Sequence, residues 1–339
     1  MPQVVSNFKY YLRYAFGKLS MLIAYIITAL TLVFFVINLM PGDPAYSLAV
    51  YYMQTYNLKF EQALEMARAA LGYDVTKPVY VRYLEYLAKL ARGELGFSLY
   101  YRRPAVEVIA LSLPWTLLVL MLATILSYVI GTRLGVFAAF KRGKAADSAL
   151  YSAAIVMLSL PPFIIAVIVL YALGVNLKLI PLGGAYALGV KPGLNLSFLL
   201  SVLHYATGPV LAQALVQLSG WLLSARNVSV TILAEDFVKY GMARGLKRET
   251  LTKKYIWKPA RLPILTSLAL SFGYMLGGST LVESVFRYPG IGQQLALALG
   301  SRDFGLVISI FTIMVVAVIL ASFLIELLYP LLDPRVRGA

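Results

Sequence analysis

Cysteine is absent from the sequence, and histidine occurs once, at His204. Disulfide bonds and thiolate metal sites are therefore excluded, as are metal sites built from several histidines, and we expect no metal site. Charge is also scarce, because charged residues make up 13% of the chain and hydrophobic residues 60%. Soluble domains average about 25% charged residues. The composition therefore predicts an integral membrane protein.

The sequence also lacks the motifs of common enzymes. It contains no GxxxxGK[ST] loop, whose backbone amides wrap phosphates, and no HExxH zinc-protease motif. The stretch GGST at 277–280 does not match GxSxG, the nucleophile motif of serine hydrolases. We therefore expect a chain that is not an enzyme and that binds no cofactor of its own.

Six charge-free runs are long enough to cross a bilayer, which requires roughly 20 apolar residues. They cover residues 19–42, 108–132, 148–177, 192–225, 262–282 and 304–325. Two runs exceed one span, and we place their helices near 149–174 and 203–225. Because the first run is longer than the roughly 7 to 15 apolar residues of a signal peptide, we expect it to be retained. The runs do not alternate as barrel strands do, so the predicted fold class is an all-α membrane protein with six transmembrane helices.

Basic residues are distributed unequally between the segments that connect these helices. If both termini are cytoplasmic, the inner segments contain 18 Lys or Arg residues and the two short outer loops contain four. This asymmetry is the positive-inside pattern. We therefore expect a multi-pass protein of the cytoplasmic membrane with both termini in the cytoplasm. The formal charge of +15 reflects this topology rather than binding to nucleic acid.

Residues 43–107, between the first two helices, form a polar segment in which eight Lys or Arg nearly balance seven Asp or Glu. Apolar residues at helical spacing predict one amphipathic helix over 60–71, which Gly72 ends, and a second over about 78–93. We expect these helices to form an extracytoplasmic insertion packed on the outer mouth of the bundle. Anchoring in lipid headgroups by their tyrosines is the alternative.

A basic cytoplasmic segment at 226–261 separates two of the apolar runs. It carries nine Lys or Arg and three Asp or Glu, a net charge of +6. Two short helices meeting at Gly245 fit its pattern, because glycine permits a sharp backbone turn. The second helix is expected over 246–255, and Pro259 helps to end it. So charged a segment cannot lie in hydrocarbon, and it must face either anionic lipid or a protein.

The stretch EDFVKYGMARGLKRETLTKKYIWKPARLP at 235–263 resembles the EAA loop of ABC importer permeases, most closely those of the dipeptide/oligopeptide branch. Further motifs follow in the family's order along nearly the whole chain: PGDP at 41–44, GELGFSLYYRRPAVEVIALSLPWTL before the second helix, GVFAAFKRGKAAD after it, LPPF in the third, VESVFRYPGIGQQL at 282–295 and LLDPRVR at 331–337. The resemblance implies an ABC type I importer arrangement with a cytoplasmic N-terminus at 1–18, helix 1 at 19–42, the insertion at 43–107, a core permease domain at 108–330 and a cytoplasmic tail at 331–339.

By this resemblance the chain is a non-catalytic permease subunit of an ATP-driven importer, and it moves short peptides by alternating access. Its implied partners in the bilayer assembly are a second homologous permease, two ATPase subunits, which bind ATP and Mg, and an extracytoplasmic substrate-binding protein. Members of the branch also carry oligosaccharides and nickel complexes, so the cargo stays open between these classes. The EAA loop implies a coupling helix that docks on an ATPase and contains Lys239, Tyr240, Gly241, Met242, Ala243, Arg244, Gly245, Leu246, Lys247, Arg248, Glu249, Lys253 and Tyr255.

Polar residues in the fourth and fifth predicted helices are the candidates for the transport path. Gln213 and Gln217 are four residues apart and share one helix face. The fifth helix offers Ser267, Ser271 and Tyr274. Such residues usually face a bundle interior or a watery cavity, so both faces are predicted to border the path. Hydrogen bonding between helices, without substrate contact, is the alternative.

An ion-coupled secondary transporter is the alternative from a different class. It would require intramembrane carboxylates or broken midplane helices at the sites of its coupling ions. The six predicted helix centres contain no Asp or Glu, which disfavours this class. Glu283 and Glu326 fall near opposite membrane surfaces, where we expect interfacial carboxylates beside basic neighbours.

Overall fold

The structure, a computed structural model, describes residues 19–36, 39, 44–71, 77–257, 260 and 280–332. Its helices are α1 Leu19–Val36, α2 Pro44–Tyr56, α3 Phe60–Leu71, α4 Val79–Ala91, α5 Ala105–Phe140, α6 Ala145–Ser159, α7 Pro162–Val169, α8 Leu196–Leu233, α9 Asp236–Ala243, α10 Arg248–Thr250, α11 Thr280–Val285, α12 Ile291–Gly300 and α13 Phe304–Leu332. Two π-helical segments, Leu170–Asn176 and Leu251–Ile256, continue α7 and α10. The only sheet in the described residues is an antiparallel pair, β1 Phe97–Ser98 with β2 Arg103–Pro104.

Four of these helices are long and apolar enough to cross a bilayer, namely α1, α5, α8 and the Phe304–Leu324 part of α13. They coincide with four of the six predicted runs. A fifth candidate is the bent pair that begins with α6 and continues through α7. Residues 261–279, which include most of the run predicted at 262–282, lie outside the described residues. The count of six spans therefore stays a prediction.

The third predicted span is not one straight helix. Its two parts, α6 and the helix Pro162–Asn176, are bent by 105°. A proline forces the preceding residue towards extended backbone, and Leu160 has a ψ of 130° while Pro161 has a ψ of 139°. Pro162 then lies in the first turn of α7, where its missing N–H is tolerated. The prediction of a continuous helix near 149–174 is wrong, because consecutive prolines remove hydrogen bonds that a straight helix needs.

The fourth span extends beyond its predicted bounds of 203–225 at both ends. It begins earlier because the Asn195 side chain accepts a hydrogen bond from the Phe198 N–H at 2.8 Å and caps the helix. It also continues past Arg226, so the start of the loop predicted at 226–261 is helical. A single cation does not end a helix, and the cation Arg226 is paired with the carboxylate of Asp147.

The chain divides into two compact units, the first of which contains residues 1–113 and 294–323. In this unit the amphipathic helices predicted over 60–71 and 78–93 are confirmed as α3 and α4. The sequence pattern gave no indication of α2, whose apolar residues follow no clear helical period. It packs on α3 through four fully buried small residues, Ala45, Ala49, Ala63 and Ala67.

The second unit contains residues 114–293 and 324–339. Its core forms where α5, α7, α8 and the segment after α11 meet. The buried side chains of this core include Val119, Ile165, Ala166, Ala206, Ala212, Phe286 and Tyr288.

Within the second unit, α5 and α8 cross with their backbones in close contact. Gly131 and Gly135 are one helical turn apart on α5, and a Cβ added at Gly131 would lie 2.7 Å from the Trp221 Cβ. A Cβ at Gly135 would lie 2.8 Å from the Arg226 backbone nitrogen and would overlap the Leu222 carbonyl. Small residues at this spacing let membrane helices approach each other and gain van der Waals contact.

The substitution Gly135→Ala is expected to destabilise the protein, because the two helices must separate to admit one methyl group. Overpacking of this kind costs about 1–3 kcal/mol, and the midpoint of thermal unfolding in detergent should fall accordingly. The matched control is Gly220→Ala in α8, where an added Cβ meets no atom of the described residues within 4 Å. The control should keep or raise the midpoint, since alanine is the better helix former. Equal midpoints for the two variants would contradict the close crossing.

Candidate functional site

The most basic segment of the second unit folds as a helical hairpin over residues 236–257, which we call the basic hairpin. Its first arm, α9, is followed by Gly245, whose φ of +71° reverses the chain. The Gly245 N–H donates to the Met242 carbonyl at 2.9 Å, and the Leu246 N–H donates to the Gly241 carbonyl at 3.3 Å. These two hydrogen bonds form a Schellman motif, which favours glycine at its left-handed position. The predicted turn at Gly245 is confirmed.

The two arms of the basic hairpin pack on each other through one glycine and apolar side chains. Leu251 and Ile256 of the second arm are buried. A Cβ at Gly241 would lie 3.1 Å from both Leu251 Cδ2 and Tyr255 Cε1, so the backbone of α9 contacts the second arm directly. The rings of Phe237 and Tyr255 stack with their centroids 6.2 Å apart. This packing holds the two arms together as one small body.

The outward face of the basic hairpin carries cations together with large apolar side chains. Tyr240 is 70% exposed and Met242 is 43% exposed. The exposed charged residues on the hairpin include Lys239, Arg244, Lys247, Glu249, Lys253 and Lys254. Tyrosine, methionine and arginine are enriched where proteins bind one another. The face therefore combines large side chains of the kind that protein interfaces use with a strong positive charge.

Two ion pairs on this face are exposed. The Lys253 ammonium lies 2.7 Å from the Glu249 carboxylate, and the Lys239 ammonium lies 2.9 Å from the Asp236 carboxylate. The hydrogen bond from Lys253 lowers the pKa of Glu249, and the same contact raises the pKa of Lys253. Pairs that are open to solvent contribute little stability. These side chains can therefore rearrange to meet a partner at little cost.

Most residues predicted to form the coupling helix lie on the exposed side of the basic hairpin. Among those whose side chains the structure describes, Gly241 alone is buried, while Leu246 and Tyr255 are half-buried. The second helix starts at Arg248 rather than at 246, because the residues after Gly245 complete the turn. Whether this face docks on an ATPase stays a prediction.

An ion pair between Asp147 and Arg226, which we call the ionic clamp, joins α6 to α8. Arg226 Nε lies 2.6 Å from Asp147 Oδ1, and Arg226 Nη2 donates to Asp147 Oδ2 at 2.8 Å. The Gly143 N–H donates to the same Oδ2 at 3.1 Å, and the Arg226 guanidinium carbon lies 4.9 Å from the centre of the Tyr151 ring. Asp147 is 4% exposed. A bidentate pair with further hydrogen bonds is the geometry in which a buried ion pair is stable, so the ionic clamp links α6 firmly to α8.

Sequence reasoning missed the ionic clamp, because it treats Arg226 only as one of the cytoplasmic cations. One signal for the pair is present. Asp147 is the only acidic residue between Glu107 and Glu235. A lone carboxylate in so apolar a stretch is expected to be paired, since acidic residues are rarely buried without a partner.

Gln217, one of the two glutamines predicted to border the transport path, bonds to another helix. Its Oε1 accepts hydrogen bonds from Thr124 Oγ1 at 3.1 Å and from Ser127 Oγ at 3.2 Å, both on α5. Gln213, one turn earlier on α8, is buried. Gln217 therefore forms hydrogen bonds between helices. That Gln213 and Gln217 border the transport path stays a prediction. The other predicted path residues, Ser267, Ser271 and Tyr274, lie outside the described residues.

Glu283 is fully buried within the protein. Its Oε2 accepts hydrogen bonds from the Gly292 N–H at 2.7 Å and the Gln293 N–H at 3.3 Å, and Thr116 Oγ1 accepts one from the Ile291 N–H at 2.8 Å. The first amides of α12 thus supply partners to this carboxylate, which caps that helix. The expected position of Glu283 near a membrane surface stays a prediction. The side chain of Glu326 lies outside the described part of the chain.

The substitution Glu283→Ala is expected to lower the midpoint of thermal unfolding, because two amides of α12 lose their acceptor. A buried donor left without a partner costs about 1–3 kcal/mol. Glu249→Ala removes an exposed carboxylate of the basic hairpin and serves as the matched control. If both variants unfold at the midpoint of the unmodified protein, Glu283 does not cap α12.

The fold and the site together define a membrane protein of many helices, whose candidate site is an exposed basic hairpin. The family described as binding-protein-dependent transport system inner membrane component matches residues 131–338, and the chain belongs to that family. The matched region contains both the basic hairpin and the ionic clamp. The resemblance drawn from the motifs is confirmed.

Similar proteins extend along nearly the full length of the chain. It is 30% identical over 334 residues to the di/tripeptide transport system permease protein DppB of Pseudomonas aeruginosa, covering 94% of this chain and 97% of that protein. It is 29% identical over 307 residues to the probable peptide ABC transporter permease protein y4tP of Sinorhizobium fredii, covering 90% and 93%. It is 27% identical over 328 residues to the glutathione transport system permease protein GsiC of Escherichia coli, covering 96% and 99%. The chain is thus a membrane permease subunit, and its family implies substrate-binding and ATPase partners.

Proposed function

We propose that this chain moves short peptides across the cytoplasmic membrane by alternating access, as the permease subunit of an ATP-driven importer. Two of the similar proteins are named for peptides, and glutathione, named in the third, is itself a small peptide. These names favour peptides over oligosaccharides or nickel complexes as cargo. A substrate-binding protein delivers the peptide, a second homologous permease completes the pore, and two ATPase subunits bind ATP and Mg.

The proposed orientation places both termini and the basic hairpin in the cytoplasm. Residues 43–107 then lie on the extracytoplasmic side, where the binding protein arrives. The unequal distribution of Lys and Arg between the two sides supports this orientation.

The observation that carries the proposal is the basic hairpin. Its arms are fixed on each other by the contact of Gly241 with Leu251, and it exposes Tyr240 and Met242 among its cations. A segment held only on anionic lipid requires positive charge, but it requires neither a fixed turn nor exposed apolar side chains of this size. Aromatic and apolar groups set among charges fit a protein surface of complementary charge. We infer that the hairpin docks on the ATPase.

Motion of a docked hairpin would reach the membrane through α8. Only Ala234 and Glu235 separate α8 from α9, so the connection has little slack. The ionic clamp then passes a displacement of α8 to α6. ATP can shift the permease between two states only if the ATPase contacts those states differently. The basic hairpin supplies that contact.

Among the features of the described residues, the break between α6 and α7 favours an ion-coupled carrier, since broken helices often hold coupling ions. The break is made by Pro161 and Pro162, and the residues on either side, Leu160 and Phe163, are apolar. In the part of the chain that the structure describes, no three His, Asp or Glu side chains come together as a site for a metal ion. The ATP-driven importer therefore accounts for more of the structure.

Reconstitution in lipid vesicles tests the proposed function. The chain is assembled with a second permease, two ATPase subunits and a binding protein, and the uptake of a labelled peptide is measured. We expect uptake to require Mg-ATP on the side of the basic hairpin, and ATP hydrolysis to rise when the loaded binding protein is added. Uptake that persists without nucleotide would contradict an ATP-driven importer. Uptake of an oligosaccharide but of no peptide would overturn the proposed cargo.

A further inference from the structure

The first unit contains a cleft of about 470 Å³ between α2 and the β1–β2 loop, and the proposed function does not use it. We call it the aromatic cleft, and the residues that line it include Tyr51, Tyr52, Tyr56, Phe97, Tyr100 and Arg102. Sites for small ligands typically enclose about 300–1,000 Å³. The volume therefore fits a small molecule or the end of a short peptide.

Arg102 is the one charged residue among those that line the aromatic cleft. Its guanidinium carbon lies 4.0 Å from the centre of the Tyr51 ring, a cation–π contact that holds it against the wall. Among the described residues no carboxylate forms an ion pair with it. Its N–H donors are therefore available to an anion, and the planar guanidinium matches a carboxylate in shape.

The loop that carries Arg102 is fixed by contacts within the first unit. Buried Asp303 accepts a hydrogen bond from the Tyr100 N–H at 3.0 Å, and the Tyr101 hydroxyl donates to Gln294 Oε1 at 2.5 Å. Arg102 itself has a φ of +53°, in the left-handed region that residues other than glycine rarely adopt. Such strain persists only where the surrounding structure enforces it, and it clusters at binding sites.

The tyrosines form a continuous aromatic wall along α2. The centroid of the Tyr52 ring lies 5.8 Å from that of Tyr51 and 5.6 Å from that of Tyr56. Aromatic faces bind apolar side chains, and tyrosine hydroxyls add hydrogen bonds at the rim. A ligand with an apolar group beside a carboxylate would match both the wall and the cation. The carboxyl-terminal residue of a peptide has this chemistry.

We propose that the aromatic cleft binds the carboxyl-terminal residue of a short peptide. The carboxylate contacts Arg102, and the apolar side chain lies against Tyr52 and Tyr56. This inference rests on the proposed peptide cargo and on the proposed extracytoplasmic placement of residues 43–107. The cleft would then retain a peptide on the outer side of the membrane.

The test compares two forms of one peptide on the unmodified full chain in nanodiscs of phosphatidylcholine. Acetyl-Ala-Ala-Phe and its carboxyl-terminal amide are titrated, and binding is followed by microscale thermophoresis. We expect the free acid to bind about tenfold more tightly, because the amide loses a charge-assisted hydrogen bond. Equal affinities for acid and amide would overturn the proposal.

Two arginine variants locate the binding. Arg102→Gln is expected to remove the preference for the free acid, whereas Arg103→Gln, which changes the adjacent exposed arginine outside the cleft, should keep it. A preference that survives Arg102→Gln would overturn the assignment. A competition with phosphatidylglycerol gives a second contrary outcome. If this lipid displaces the acid from the unmodified chain but not from Arg102→Gln, the cleft holds a lipid headgroup and the proposal is overturned. The binding assay contains no ATPase, so a negative result there does not contradict the proposed ATP-driven importer. A negative result in the vesicle assay likewise does not change the affinities measured for the cleft.

Discussion

Replacing Asp147 with alanine is expected to abolish coupled peptide uptake and to lower the free energy of unfolding by about 3–5 kcal/mol. The variant removes both carboxylate contacts of Arg226, whose side chain is only 17% exposed. A largely buried cation that loses its partner retains most of its desolvation penalty, which makes this loss larger than that of a surface pair. Denaturant unfolding of the detergent-solubilised protein measures the change in free energy, and the vesicle assay measures uptake.

The double variant Asp147→Ala, Arg226→Met separates stability from coupling. Replacing a buried ion pair with apolar residues is often neutral, so we expect much of the stability to return. Uptake should remain impaired, because the ionic clamp no longer joins α8 to α6. The matched control Asp236→Ala removes a carboxylate that is 98% exposed and should leave unfolding unchanged. Full uptake by the double variant would show that the clamp serves stability alone.

Gly245→Val is expected to reduce ATP-dependent uptake about tenfold while the protein inserts in normal amounts. The left-handed conformation costs a residue with a Cβ about 1–2 kcal/mol, and a β-branched side chain makes it less favourable still. The strain is relieved when the Schellman turn opens, and the second arm of the basic hairpin then changes direction. Uptake per molecule of inserted protein, measured in vesicles, checks the prediction.

Gly93→Val is the matched control for this substitution. Gly93 has a φ of +79°, and neither there nor at Gly245 would an added Cβ meet an atom of the described residues within 4 Å. The backbone strain is therefore comparable, but Gly93 follows α4 in the first unit, far along the chain from the basic hairpin. We expect normal coupling for Gly93→Val. An equal loss of uptake in both variants would mean that strain acts through general stability and not through the hairpin.

Features of the fold that depend on local sequence could be predicted. The helices α3 and α4 follow from the spacing of apolar residues, and the turn at Gly245 follows from the conformational freedom of glycine. The family also followed from motifs in a fixed order. Each helix and turn uses residues within a short stretch of chain, and the family uses short motifs read one by one along it.

Features that depend on distant residues were missed. Asp147 and Arg226 are 79 positions apart, and nothing local to either specifies the other. The hydrogen bonds that Glu283 accepts from the amides of Gly292 and Gln293 form only when the folded chain brings these groups together. The bend at Pro161 was missed for a different reason, because its cause, two consecutive prolines, is local but the hydropathy of the run alone suits a straight span.

The absence of cysteine makes the most direct test of the central claim possible, because one introduced thiol is unique in the chain. Tyr240→Cys places that thiol on the exposed face of the basic hairpin, and Leu188→Cys places it in a fully exposed position between α7 and α8 as the control. In the assembled importer, a photo-crosslinker attached at residue 240 is expected to join the chain to the ATPase with a yield that changes when ATP is added, while residue 188 gives no ATPase adduct. Adducts from residue 240 to lipid alone, with and without ATP, would contradict the account.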